Sequence, residues 1–161
     1  MQNLINQTTI LENPWLLVTD TDAPLPSGSI LVDSKYWLEN IDKLKARGDV
    51  SVFLNADADL ELLKDHLNSF PVIAVNFPAF ADGRGYSLAR LLKERFGYEG
   101  EIRAIGDVLI DQLYFMKRCG FDTYLLKDGL DAQKALNYFS TFSDPYQLAY
   151  DLNTPLFRRK A

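Results

Sequence analysis

The sequence predicts an α/β domain built from repeated strand–helix units around a mainly parallel sheet. From Val50 onward, short apolar runs rich in β-branched residues alternate with stretches of helical periodicity. Glycines end several predicted helices, and charged residues follow several predicted strands. The pattern leaves two architectures open, a half-barrel-like sheet or an open three-layer sheet with helices on both faces.

The predicted elements follow one another with short connections. In chain order they are strands over 15–19 and 30–32, a helix to residue 47, a strand over 50–54, a helix from residue 57, a strand over 71–77, a helix over 87–96, a strand over 102–105, a helix over 108–119, a strand over 123–126 and a helix over 130–142.

Capping residues and glycines define the expected helix ends. Asp33 or Ser34 begins the first helix, and Gly48 ends it. Asp57 is the expected cap of the second helix, and Asp128 is the expected cap of the last.

Composition indicates one domain spanning residues 1–161, with residues 1–13 and 143–161 as peripheral or mobile ends. The formal net charge of -5 disfavours nucleic acid as a partner, because such binding needs a basic face. One cysteine, Cys119, and one histidine, His66, exclude an internal disulfide and metal sites built from several such residues, so we expect no metal. No segment has membrane-spanning length and no signal peptide is evident, which predicts a cytoplasmic protein that does not bind membranes.

A polar loop leads from the strand ending at Phe77 into the next helix and is a candidate anion site. Its residues are Asp82, Gly83, Arg84, Gly85 and, in the helix, Ser87. The glycines permit tight backbone, free N–H groups at a helix start attract anions, and a guanidinium matches phosphate, sulfite or carboxylate. A purely structural turn, with an acid or a serine as cap and the arginine paired to a carboxylate, explains the same residues.

A second group of candidates lies beyond the following strand. Asp107, Asp111, Tyr114 and Arg118 share one helical stripe if that helix begins near Asp107. Two carboxylates one turn apart could act as acid and base, which makes Asp107 and Asp111 candidate catalytic residues. For Asp107, capping of the helix is the preferred explanation.

Three further polar residues complete the candidates. Arg103 lies inside a strand and is expected to pair with Asp82 or Asp107, which also makes it an anion-binding candidate. Gln112 follows the second carboxylate of the stripe, and Lys127 follows the last predicted strand, where a lysine could bind phosphate or form a Schiff base.

Three blocks of sequence carry a family resemblance. They are FPAFADGRGYS over residues 77–87, GEIRAIGDV over 100–108, and DQ at 111–112 with RCGFD over 118–122. Together they resemble the signature blocks of an uncharacterised bacterial family, a domain of unknown function described generically as an oxidoreductase of sulfite reduction. Members of that family are typically encoded beside assimilatory sulfite reductase.

The resemblance implies an accessory protein of assimilatory sulfite reduction that acts with sulfite reductase or its electron donor. A small anion-binding enzyme with its site at the C-terminal ends of the strands is one alternative. A flavin- or nicotinamide-linked oxidoreductase is another, although the chain has neither a dinucleotide fingerprint nor a cysteine cluster, so the cofactor stays unassigned. A half-barrel would expose apolar edges and favour a homodimer.

Overall fold

The computed structural model describes residues 2–78 and 83–141. Its strands are β1 (Leu4–Ile5), β2 (Ile10–Leu11), β3 (Leu16–Leu17), β4 (Ile30–Asp33), β5 (Val50–Leu54), β6 (Val72–Phe77), β7 (Glu101–Gly106) and β8 (Thr123–Leu125). Its α-helices are α1 (Ser34–Glu39), α2 (Ile41–Arg47), α3 (Leu60–Leu63), α4 (Arg84–Glu94), α5 (Leu113–Cys119) and α6 (Ala132–Thr141). Two 3-10 helices span Lys64–Ser69 and Ile110–Gln112. The predicted C-terminal tail, residues 143–161, lies outside the described residues.

All eight strands form one sheet in the order β2-β1-β8-β7-β6-β5-β4-β3. From β3 to β8, neighbours in the sheet are neighbours in the chain and run parallel. Because parallel crossovers share one hand, a sheet ordered this way carries its helices on one face. The α/β prediction is therefore confirmed, and of the two predicted architectures the half-barrel is the one formed.

The chain itself forces the sheet to curl. Strands β2 and β3 lie at opposite edges, yet only residues 12–15 connect them. Eight flat strands would hold the edges about 34 Å apart at a spacing of about 4.8 Å. Five residue steps, from Leu11 to Leu16, span at most about 18 Å. The two edges must therefore approach each other, and the sheet bends into a half-barrel.

Alternating strand residues form two cores. Ile73 and Val75 of β6, for example, face the helices and join the larger cluster, in which Trp37 of α1 is 1% exposed. The opposite, inner face holds a smaller cluster of Leu31, Phe53, Val72, Ala74 and Ile105, with Trp15 and Leu125 packed against it. This inner cluster is buried without a second layer of helices, because the curl brings side chains of different strands together.

A polar latch closes the N-terminal end of the half-barrel. The Arg103 guanidinium lies on the inner face and binds Glu101 through two hydrogen bonds of 3.0 and 2.9 Å. It also donates to Asn13 of the crossing segment at 2.8 Å and to Thr123 of β8 at 3.4 Å. Arg103 is 3% exposed, so these acceptors compensate a buried charge. The latch fixes the crossing segment beneath the strands and leaves their C-terminal ends open.

Several local predictions differ from the structure. Residues 1–13 were expected at the periphery, but Leu4 pairs with Leu125 of β8 and is 2% exposed. The helix predicted to run to residue 47 is two helices that meet at Asn40. The cap of α3 is Asp59 instead of Asp57, and Asp131 instead of Asp128 accepts from the first turn of α6.

Two buried tyrosines predict how stability responds to alkali. Burial raises the pKa of Tyr98 and Tyr124 above the ordinary value of 10.0. The unfolded chain loses these protons as the pH passes 10.0 while the folded chain keeps them, so the free energy of unfolding falls as the pH rises above that value.

The variant Tyr98→Phe removes one of the two groups. Urea denaturation at roughly pH 9 to 12 should give a shallower loss of stability than in the wild type. At neutral pH the variant should be about 1 kcal/mol less stable, because the phenol donates to the Phe70 carbonyl at 2.7 Å. Parallel curves for both proteins above pH 10.0 would contradict this assignment.

Candidate functional site

Three polar side chains form a continuous row at the open, C-terminal ends of β4, β5 and β6. Asp33 ends β4, Asn55 follows β5, and Asn76 is the penultimate residue of β6. Asn55 Nδ2 donates to Asp33 Oδ2 at 2.9 Å, and Asn76 Nδ2 donates to Asn55 Oδ1 at 2.9 Å. The strands are adjacent in the sheet. Asp33 lies opposite Phe53, two residues before Asn55, and Asn55 and Asn76 both follow the Leu54–Val75 pair. We call Asp33, Asn55 and Asn76 the rim row.

The carboxylate of Asp33 sets the direction of the whole row. An ionised carboxylate only accepts hydrogen bonds, so Asn55 must turn its amide nitrogen toward it. The Asn55 oxygen then faces Asn76, which must present its own nitrogen. Asp33 is fixed in turn by the backbone N–H of Lys35, which donates to Oδ1 at 2.8 Å at the start of α1. The carboxylate that caps α1 thereby orients the side-chain amides of Asn55 and Asn76 at the ends of β5 and β6.

The rim row lines a cleft of about 460 Å³. That volume suits a small molecule. The lining residues are Val18, Thr19, Thr21, Asp33, Lys35, Tyr36, Glu39, Phe53, Asn55 and Asn76. The cleft therefore combines hydrogen-bonding groups from three strand ends and the loop after β3 with the aromatic surfaces of Tyr36 and Phe53.

The charge of this cleft is acidic on balance. Among the described residues that line it, Lys35 is the one basic residue, and its ammonium binds Asp57 at 2.5 Å. That hydrogen bond and the attraction between the charges lower the pKa of Asp57 and raise the pKa of Lys35. With the lysine compensated, the carboxylates of Asp33 and Glu39 remain in the lining. The cleft thus suits a neutral or positively charged polar group better than an anion.

An ion pair extends the polar rim to β7 and β8. Lys127 Nζ lies 2.9 Å from Asp107 Oδ1, and the two residues follow the ends of those strands. The Asp107 side chain is only 18% exposed, so the pair is partly shielded from water. The sequence singled out both residues because each follows a strand, and the structure brings them together.

The predicted anion-binding residues are dispersed. Asp82 lies outside the described residues. Gly83 precedes α4, Arg84 is its first residue, and Ser87 is exposed in its first turn. The charge of Arg84 contributes, after Lys35, to the lowered pKa of Asp57.

The other two members of the predicted anion set have structural surroundings. Gly85 is buried where α4 crosses β6, and a Cβ there would lie 2.5 Å from the ring of Phe77. Arg103 belongs to the latch at the opposite, N-terminal end of the sheet. The predicted partners of Arg103 were Asp82 or Asp107. Arg103 pairs with Glu101 and not with Asp107, and Asp82 lies outside the described residues.

The predicted helical stripe is not formed. The α-helix begins at Leu113 and contains Tyr114 and Arg118, whereas Asp107 and Asp111 both precede it. The helix does not begin directly after β7, because the Val108 carbonyl accepts a hydrogen bond from the backbone N–H of Lys127, which follows β8. Asp111 and Gln112 lie in the intervening 3-10 helix, and Asp111 is exposed.

The rim row itself was missed at the level of sequence. Asp33 was assigned only as a helix cap, and Asn55 only as the residue that ends a strand. The signal was present, because a polar residue directly after a buried strand is the same pattern that singled out Asp107 and Lys127. Asn76 lies inside an apolar run, and its alternation with Val75 and Phe77 is what turns it to the inner face.

Other grooves lie on the surface of the described residues. A groove of about 500 Å³ between the β1–β2 turn and α6 is lined by uncharged residues such as Gln7, Thr9 and Gln133. Within residues 2–78 and 83–141, no group of three or more histidine, cysteine, aspartate or glutamate residues is placed to hold a metal ion. None of the helices in this part of the chain is long and apolar enough to span a membrane.

The fold and the cleft together define a class of protein, a single-sheet α/β half-barrel with a cleft at the C-terminal rim of the sheet. The sequence model of the bacterial protein family of unknown function DUF934 matches residues 51–157, which is more than half of the chain. The chain therefore belongs to that family. No curated protein and no solved structure matches it. The matched stretch includes Asn55 and Asn76, whereas Asp33 precedes it.

Substitution of Gly106 tests how tightly the rim is packed. Its φ is 90°, and a Cβ would lie 2.5 Å from both Asn76 Oδ1 and the Phe77 carbonyl oxygen. Gly129 has a similar φ of 92° but open space around it, which makes Gly129→Ala a matched control. Urea denaturation should give a loss of about 1–2 kcal/mol for Gly129→Ala, from backbone strain, and about 2–5 kcal/mol for Gly106→Ala. Equal losses would mean that the rim relaxes freely around the added methyl group.

Proposed function

We propose that the protein is an accessory protein of assimilatory sulfite reduction and that it acts with sulfite reductase or its electron donor. The pathway comes from the resemblance of its sequence blocks to the family encoded beside that reductase. The structural support is the rim row, because oriented amides lining a cleft are groups that recognise a small polar molecule.

The geometry favours binding over catalysis at this cleft. Asp33 accepts hydrogen bonds on both carboxylate oxygens, from Lys35 N and Asn55 Nδ2, and therefore serves to position the row. The amides of Asn55 and Asn76 do not ionise near neutral pH and so do not serve as general acid or base, but each has hydrogen-bonding capacity beyond the bonds within the row. Recognition of a neutral or cationic polar group by these amides is the function that the site supports best.

An enzyme at the strand ends is the second candidate, and the Asp107–Lys127 pair is the observation that favours it. A carboxylate held 2.9 Å from an ammonium, at the rim where α/β proteins place their chemistry, is suited to proton transfer. The anion-binding form of this proposal loses support, because Arg84 and Arg103 lie at different ends of the sheet.

Growth on defined sulfur sources tests the proposed pathway. A strain in which the gene is deleted should fail on sulfate and on sulfite as sole sulfur source, and sulfide should restore growth. This pattern would locate the requirement at the step that converts sulfite to sulfide. Normal growth of the deletion strain on all three sources would contradict the proposal.

Complementation of the same strain tests the site. The double variant Asn55→Ala/Asn76→Ala removes the amides and should fail to restore growth on sulfate. Asn137→Ala, which removes an exposed amide on α6, is the matched control and should restore growth fully. Thermal unfolding of the purified double variant shows whether it is folded. A folded double variant that restores normal growth would assign the function to another part of the protein.

A further inference from the structure

Helices α4 and α5 lie side by side on the outer surface and form a continuous seam. At one end of the seam the rings of Tyr86 and Phe115 lie 4.8 Å apart. One turn farther along both helices, Arg90 Nε donates to Cys119 Sγ at 3.5 Å. We call the surface formed by Tyr86, Arg90, Phe115 and Arg118 the α4–α5 seam.

The two helices that form the seam differ in charge from the rest of the protein. They contain one acidic residue, Glu94, and five basic ones, which are Arg84, Arg90, Lys93, Lys117 and Arg118. The whole chain has a net charge of -5. Basic residues therefore outnumber acidic ones on these two helices, and Asp111 and Asp122 lie beside them.

The seam combines this charge with an exposed apolar group. Phe115 is 48% exposed, although a phenylalanine beside a packed core would normally be covered. Arg118 lies three residues after Phe115 on the same face, is exposed, and makes no ion pair with any residue of the described part of the chain. Lys93 differs, because Asp122 lies 3.7 Å from its ammonium. Aromatic residues and arginines are the residue types enriched at the centres of protein interfaces.

We propose that the α4–α5 seam is a docking surface for another protein, one that presents an acidic surface around an apolar contact. Charge complementarity selects this partner. A symmetric dimer through the seam would place arginines against arginines, and nucleic acid would be repelled at long range by the net negative charge of the chain. The docking surface lies on the helices outside the half-barrel and does not depend on which molecule the rim cleft binds.

Photo-crosslinking in the bacterium that carries this gene tests the surface without assuming a partner. The full chain is produced with Phe115→p-benzoylphenylalanine, and adducts are identified by mass spectrometry. The matched control places the same photoreactive residue at Leu62, an apolar side chain on α3 that is 61% exposed. We expect a protein adduct from position 115 that is absent from position 62, joined to a peptide rich in aspartate and glutamate.

Charge reversal then tests the role of the arginines. Arg90→Glu/Arg118→Glu should lower the yield of the adduct about tenfold, whereas Lys43→Glu/Lys45→Glu, on the exposed face of α2, should leave it unchanged. If the reversed variant fails to fold, Arg90→Gln/Arg118→Gln should still lower the yield. The proposal is overturned by a nucleic-acid adduct, by an adduct with a second copy of the chain, by equal labelling from position 62, or by a yield that does not depend on the arginines.

Discussion

Residues 12–15 impose the constraint on which the rest of the structure depends. They join the two edge strands of an eight-stranded sheet over a distance that a flat sheet could not satisfy. The curl that results buries the inner cluster around Phe53 without a second layer of helices. The Arg103 latch holds Asn13 of the crossing segment against β7, so the N-terminal end of the half-barrel is closed. The opposite end stays open.

We therefore propose the functional site at the C-terminal end of the half-barrel. The open end collects the residues that follow parallel strands, which is where α/β proteins place their sites. Asp33 connects this end of the sheet to the neighbouring helix, since its carboxylate both caps α1 and orients Asn55. The cleft beside it is acidic on balance, whereas the α4–α5 seam on the helical surface is basic. The two proposed binding surfaces therefore differ in charge and lie at separate places on the molecule.

The sequence contained most of the fold and only part of the site. Alternating strands and helices after Val50 were predictable, because central parallel strands appear as apolar runs between helical periods. The choice between the half-barrel and the open sheet was not predictable, since it follows from pairing by two-residue strands such as β2, which leave no pattern. Glu101 was not considered as a partner of Arg103, although it lies two residues earlier on the same face of the strand. Asp107 and Lys127 became candidates because each follows a strand. Asn55 also follows a strand but was not taken as a candidate.

The most direct measurement is the NMR spectrum of the Asn76 side-chain NH2 group in three proteins. Asp33→Asn keeps a capping oxygen for α1 but turns an N–H toward Asn55, which must reverse the direction of the row. In Asp33→Asn/Asn55→Asp the central residue again accepts from both sides. We expect the Asn76 signals to shift in the single variant and to return toward the wild-type positions in the double variant. Signals that do not respond to Asp33→Asn would contradict the claim that this carboxylate orients the rim row.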